Sequence, residues 1–393
     1  MHEIDSIQSL EHWLEQETSL QGIALQALDL QEYETILEAI DLKETLFLGC
    51  RLTPSFASHA LKQGALILPE TPGFAFQSHR AQLYTAEELF EGFDINLING
   101  YHTTLDYRIY KEYLGSGKDY PDSILVSLMR RLHDHSITDS LWEAIENRKI
   151  VAVMGGHGME RSDSYYRHIA TIARELTLRG FTIVTGGGPG AMEAAHLGAY
   201  FAVRSEQDLE TAIEMISKRP PNSPRGKEYA DPDWLKRALN VLEHFPLTHR
   251  DREACMSIGI PTWLYGHEPP AAFATHIAKY FANSVREEGL LSIARHGVIF
   301  SPGSAGTIQE IFQDACQNHY APYHSGPGLR HVSPMILFGH DYWSDTKPVW
   351  PLLNDVSRNQ RYGELCRLTD DESEIIELIA SYDPDAYGYP CSS

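Results

Sequence analysis

The 393-residue chain has only five cysteines, Cys50, Cys255, Cys316, Cys366 and Cys391, with no C-x-x-C pair and no regular spacing. Such a scatter suggests neither a disulfide framework nor a zinc cluster, and it fits a reducing compartment. Long apolar runs are missing too, since none approaches the roughly 18 residues that a membrane span needs. The opening Met-His-Glu-Ile-Asp is acidic rather than basic, so an unprocessed cytoplasmic protein is expected. Basic residues are scarce: 32 Lys and Arg stand against 54 Asp and Glu, a net charge of -22. That balance disfavours nonspecific attraction to nucleic acid or a membrane surface. An anionic ligand must then be held by local geometry. No internal repeat or low-complexity tract is evident.

The length suits two domains, each able to bury its own core. The reading is an N-terminal α/β accessory domain over residues 1–145, then a Rossmann-like domain over 146–393 with an insertion at about 203–253. In the first forty residues Leu10, Trp13 and Leu14, then Ile36, Leu37 and Ile40, follow helical spacing and predict packing helices. Residues 45–50, 55–63 and 64–69 read as strand, helix, strand. The loop that follows, with Pro69, Pro72 and Gly73, is either a turn or a ligand loop. A long helix is expected after Asp122 as N-cap, with Ile124, Leu125, Leu128, Met129 and Leu132 on one face. His133-Asp134-His135 alternates at i and i+2, positions that diverge on a helix, so a solvated surface is expected there rather than a metal site.

The second domain opens on Lys149-Ile150-Val151-Ala152-Val153-Met154, a continuous apolar run of the kind a doubly covered parallel strand needs. The turn Gly155-Gly156-His157-Gly158 follows, then a helix over about 164–179 that Gly180 ends. Strand 181–185 leads into Gly186-Gly187-Gly188-Pro189-Gly190-Ala191-Met192-Glu193. Within the insertion, Leu209, Ala212, Ile213 and Ile216 form a helical face, Pro220, Pro221 and Pro224 break it, and 234–245 predicts another helix. Strand 257–261, a helix over about 271–286, strand 296–300, strand 334–339 and helices at 349–356 and 371–380 complete the pattern. Alternating strands and helices imply one parallel sheet with right-handed crossovers and helices on both faces.

Residues 300–312, Phe-Ser-Pro-Gly-Ser-Ala-Gly-Thr-Ile-Gln-Glu-Ile-Phe, run from a strand through a glycine loop into an amphipathic helix bearing Ile308, Ile311, Phe312, Ala315 and Cys316. Free N–H groups of a first helical turn behind flexible glycines make a phosphate site. The loop at Gly186 is a second such element. It also fits G-x-G-x-x-A through Gly186, Gly188 and Ala191, which a dinucleotide site would require, but the acids about 20 positions on, Glu206 and Asp208, fall at a helix start rather than a strand end. A third reading gives the glycines a packing role alone. Glu310 has two readings as well. It completes a capping box from Thr307, or it stands about one sugar from bound phosphate, where it could stabilise an oxocarbenium-like transition state.

These two stretches, Gly186 to Glu193 and Pro302 to Glu310, resemble the paired glycine signatures of the LOG family, nucleoside 5′-monophosphate phosphoribohydrolases long mislabelled as lysine decarboxylases. With Gly155-Gly156-His157 they look closer still to the larger bacterial pyrimidine/purine nucleotide 5′-monophosphate nucleosidases, which carry an extra N-terminal domain. The resemblance spans about residues 148–340. It implies hydrolysis of a nucleoside 5′-monophosphate to free base and ribose 5-phosphate, with no metal or redox cofactor, by a homodimer or higher homo-oligomer. It makes Glu310 the catalytic carboxylate, with Arg286 standing near the place where the family has an arginine but one position out of register, and Glu287 in place of the lysine that follows it. Substrate would be held by Gly155, Gly156, Gly186, Gly187, Gly188, Gly190, Met192, Glu193, Gly303, Ser304, Ala305, Gly306 and Thr307. Ser304 stands where the family has glycine. A nonenzymatic nucleotide carrier of the same fold, and an NAD-dependent oxidoreductase, are the rival readings.

Overall fold

A computed structural model describes residues 2–218, 226–266, 268–323 and 331–387. Pro220, Pro221, Pro224 and Cys391, which figure in the sequence reading, lie outside them. The protein is α/β, with two fully parallel sheets. Among the described residues no helix is long and apolar enough to cross a membrane.

Contacts divide the chain into two units, Met1–Leu83 with Lys111–Ala144, and Tyr84–Tyr110 with Ile145–Ser393. The expected first domain therefore loses residues 84–110 to the second. A buried charge cluster ties them there. Asp106 accepts hydrogen bonds from Lys279 Nζ at 2.7 Å and Trp263 Nε1 at 2.9 Å, and Tyr101 donates to the same carboxylate. Lys279 and Asp106 are both fully buried, so neither charge is tolerable without the other.

The first unit holds four strands, β1 (His2–Ile4), β2 (Ile23–Gln26), β3 (Leu46–Leu48) and β4 (Leu66–Leu68), side by side in sequence order. The first two replace part of what the spacing suggested was purely helical. They are three and four residues long, too short to outweigh the helical stripe of Leu10, Trp13 and Leu14 beside them. That stripe does form a helix, Ile7–Gln16, capped by Ser6. Pro54–Gln63 is capped by Thr53 and stopped by Gly64 in the left-handed region, and Phe56 packs edge-on against Phe47.

The long helix starts at Ile124, so Asp122 is not its N-cap. Its expected apolar face is mostly outside: Ile124, Leu125 and Leu128 are exposed, and burial begins at Met129. His133 and Asp134 are the reverse, buried rather than solvated, with His133 Nδ1 at 3.1 Å from Asp134 Oδ1 and its ring edge-on to Phe76. Burial holds the His133 pKa below its ordinary value despite the adjacent carboxylate. His135 is exposed.

The second sheet has seven strands: β5 (Lys149–Met154), β6 (Phe181–Thr185), β7 (Ser257–Gly259), β8 (His276–Ile277), β9 (Val298–Phe300), β10 (Met335–Phe338) and β11 (Cys366–Thr369). Its order is β11-β10-β9-β5-β6-β7-β8. From β5 the chain winds outward to β8, then crosses back to β9 on the other side of β5 and winds outward again. This is a doubly wound Rossmann-like sheet whose switch point lies between β5 and β9, where ligands of such folds bind. Val151, Ile183, Ile258, Val298 and Ile336 are among the residues buried in its central strands, as helices on both faces require.

The expected helix over 271–286 does not form. Residues 271–282 run as buried irregular chain around β8, and the helix is Asn283–Ile293. His276 and Ile277 pair with β7, and Ile277 also exchanges both backbone hydrogen bonds with Tyr84, so the backbone here is satisfied without a helix.

Candidate active site

Three loops leave the carboxyl ends of adjacent strands, after β6, β5 and β9. Two of them meet at the switch point, where the Gly156 N–H donates to Pro302 O at 3.0 Å. The Ala191 N–H donates to Gly156 O at 3.2 Å and so joins the third loop to the first. A cavity of about 400 Å³ opens there, a size that suits a small-molecule ligand. Gly155, Gly156 and Met192 form part of its wall, and Ser304, Ala305, Gly306 and Thr307 another part.

The helix over Ala305–Tyr320 begins at this cavity, with Ser304 as N-cap. No side chain bonds the cap, so the N-terminal N–H groups that phosphate would use are not claimed by a capping side chain. This overturns the capping-box reading of Glu310. Thr307 is not the N-cap but lies inside the first turn, buried, and Glu310 is therefore out of register for returning a bond to the cap.

Glu310 instead faces Arg286, with Nη1 at 3.8 Å from Oε1 and both side chains nearly buried. Arg286 is in the first turn of Asn283–Ile293. A cation at that end is disfavoured by the helix dipole, so the dipole does not account for its position. Arg286 Nε and Nη1 are buried without hydrogen-bond partners, leaving donors to spare. Burial raises the Glu310 pKa to about 7; Arg286 pulls it down and Glu287 pushes it up. A carboxyl group at this pKa is partly protonated near neutrality.

The Gly186 loop contributes differently from the expectation. Met192 faces the cavity, but Gly186, Gly187, Gly188 and Gly190 are not among its lining residues. Gly187, at φ +70, lies so close to β7 that an added Cβ would sit 2.7 Å from Pro261 Cδ and 3.0 Å from Ile260 N. Gly190, at φ +72, would place one 2.4 Å from Gly156 O. These glycines bring the loops together. Gly303 also lies against the first loop, where a Cβ would sit 3.1 Å from Gly156 N, and within its own loop that Cβ would lie 2.1 Å from Thr307 Oγ1.

Glu193 is not among the residues that line the cavity. It is fully buried and accepts from Arg161 Nε at 2.8 Å, Arg161 Nη2 at 2.5 Å and Tyr166 OH at 2.9 Å. Met192 and Glu193 point to different sides of one helix, and only the first points at the cavity. Asp208 is likewise used locally: it closes a capping box with Ser205, and Glu206 is exposed in the same first turn. Neither is at a strand end where a dinucleotide ribose would need it.

No family model and no curated protein matches this chain. Among solved structures, the molybdenum cofactor binding protein from the phototrophic bacterium Rippkaea orientalis aligns with a TM-score of 0.36 at 16% identity, over 60% of this chain and 98% of that chain. A match at that score carries no argument about ligand or activity.

Sequence reasoning missed Tyr265, Glu268 and Gln309 as cavity residues. Tyr265 closes the short turn Trp263–Tyr265, and no local pattern marks it or Glu268. His157, from the first glycine turn, has its Nδ1 3.9 Å from Glu268 Oε1, and its ring is edge-on to Tyr229 at 5.9 Å.

Proposed function

We propose that this protein hydrolyses the N-glycosidic bond of a nucleoside 5′-monophosphate. The observation that carries the reading is the Arg286–Glu310 pair in the switch-point cavity, beside an uncapped helix N-terminus. Phosphate would lie on the N–H groups of the turn at Ala305, in a chain whose net charge of -22 otherwise repels it. Ribose then extends toward Glu310. As the bond from C1′ to the base nitrogen breaks, positive charge grows on the sugar, and an ionised Glu310 stabilises it. Water adds its oxygen to C1′ and its proton ends on the departing base. Arg286 favours the ionised form of Glu310, and its unpartnered donors are available to substrate oxygens.

The LOG-like motifs support the same reading. With it go a cytoplasmic location and a homodimer or higher assembly. The rival is a carrier that binds the same nucleotides without cleaving them. Incubation with a panel of nucleoside monophosphates, followed by chromatography for free base, decides the matter: release of base with equimolar ribose 5-phosphate is expected. Calorimetric binding with no product from any member of the panel would establish the carrier instead.

A further inference from the structure

The small N-terminal sheet has a carboxyl edge of its own, and a cavity of about 470 Å³ lies there. Ala27 and Gly49, which follow β2 and β3, line it, and so does the loop beyond β4, including Thr71, Phe74, Phe76 and His79. Both strand-end residues have positive φ, 54° at Ala27 and 62° at Gly49. Ala27 is a non-glycine residue held in the left-handed region, which is uncommon and costs energy.

Two buried polar side chains at this edge lack partners. His79 is 6% exposed and neither ring nitrogen has a hydrogen-bond partner. Gln26, the last residue of β2, is 2% exposed, and its Nε2 is unpartnered as well. Native interiors pair such groups as a rule, so the exceptions call for an explanation. Burial lowers the His79 pKa, which leaves the ring neutral near pH 7, with one nitrogen a donor and the other an acceptor.

The lining selects the ligand class. Among the lining residues the acidic side chain is Glu70, and none is a lysine or arginine that would hold an anion. Phe74 and Phe76, with ring centroids 5.2 Å apart, supply apolar aromatic surface. Aromatic side chains in the lining, beside a neutral donor and acceptor, suit a flat ring with hydrogen-bonding edges. We propose that the carboxyl edge of the N-terminal sheet is a second ligand site, taking an uncharged nitrogen heterocycle of the free-nucleobase class. The site stands on its own residues and does not depend on the activity assigned to the switch-point cavity.

The test is calorimetric titration of the full chain with adenine, cytosine and uracil, and with AMP as the phosphorylated comparison. At least one base should bind, His79→Phe should weaken it at least tenfold, Thr71→Val should weaken it several-fold, and Glu310→Gln should leave it unchanged. If His79→Phe does not fold, Thr71→Val alone decides. Four outcomes overturn the proposal: no base binds, binding survives these N-terminal substitutions, binding is lost with Glu310→Gln, or AMP binds through His79 more tightly than adenine does.

Discussion

Arg286 Nη1 stands 3.8 Å from Glu310 Oε1, and the two residues belong to different helices that both begin near one cavity. The pair is too long for a direct hydrogen bond but close enough for each charge to act on the other in a nearly dry site. Neither residue has a local structural duty that accounts for it. Arg286 is at the wrong helix end for the dipole, and Glu310 is out of register for the cap. Both line the same cavity, and the proposed hydrolysis uses them together.

Glu310→Gln keeps the volume and removes the charge. Base release should fall by about a hundredfold or more, the scale of losing an electrostatic stabiliser of a transition state, while nucleotide affinity changes only a few-fold. Product chromatography and calorimetry on the same preparation check the two halves. Unchanged turnover would remove Glu310 from the mechanism.

The raised Glu310 pKa gives two opposite pH trends. Activity needs the carboxylate, so it should fall as pH drops through about 7. Stability runs the other way. The folded state holds this proton more tightly than the unfolded chain, whose carboxyl titrates near its ordinary value, so the group's stabilising contribution is full at low pH and is lost as pH rises toward about 7. Arg286→Gln removes the cation that favours the carboxylate, and the acid limb of the rate profile should move to higher pH. A profile that does not move would separate the two residues.

Glu193→Ala tests the buried network. It strands the Arg161 guanidinium, 1% exposed, without its carboxylate. Breaking such a pair typically costs about 3–5 kcal/mol. Chemical denaturation should show a loss of that order. A variant as stable as the parent would mean that Arg161 finds another partner or reaches water.

Two glycines of the site should respond oppositely to alanine. Gly190→Ala puts a Cβ against the Gly156 and His157 carbonyls at positive φ and should destabilise the loop junction severely. Gly306→Ala meets nothing within 4 Å and should be neutral or stabilising by up to about 1 kcal/mol. It lines the cavity, so phosphate affinity should drop even as the melting temperature holds. Equal effects on both melts would contradict this division between packing and ligand contact.

The sequence by itself determined the strands of the second sheet whose apolar runs are continuous, the two strand-to-helix glycine loops, and Glu310 as the residue to test. These are local properties, because burial on both faces writes an unbroken apolar run and a tight turn writes glycine. The structure decided which strands are neighbours, and hence that Gly156 meets Pro302 at the switch point. It also turned Met192 toward the cavity and Glu193 away from it, and placed Arg286 at the start of a helix. The short strands β1, β2 and β8 and the transfer of residues 84–110 to the second unit were decided there as well. Two to four residues carry too little pattern to specify a strand, and a buried carboxylate such as Asp106 finds Lys279 only when segments far apart in the chain pack together. Side-chain spacing reaches about one helical turn, whereas strand order and the facing of Arg286 and Glu310 are set by packing between distant segments.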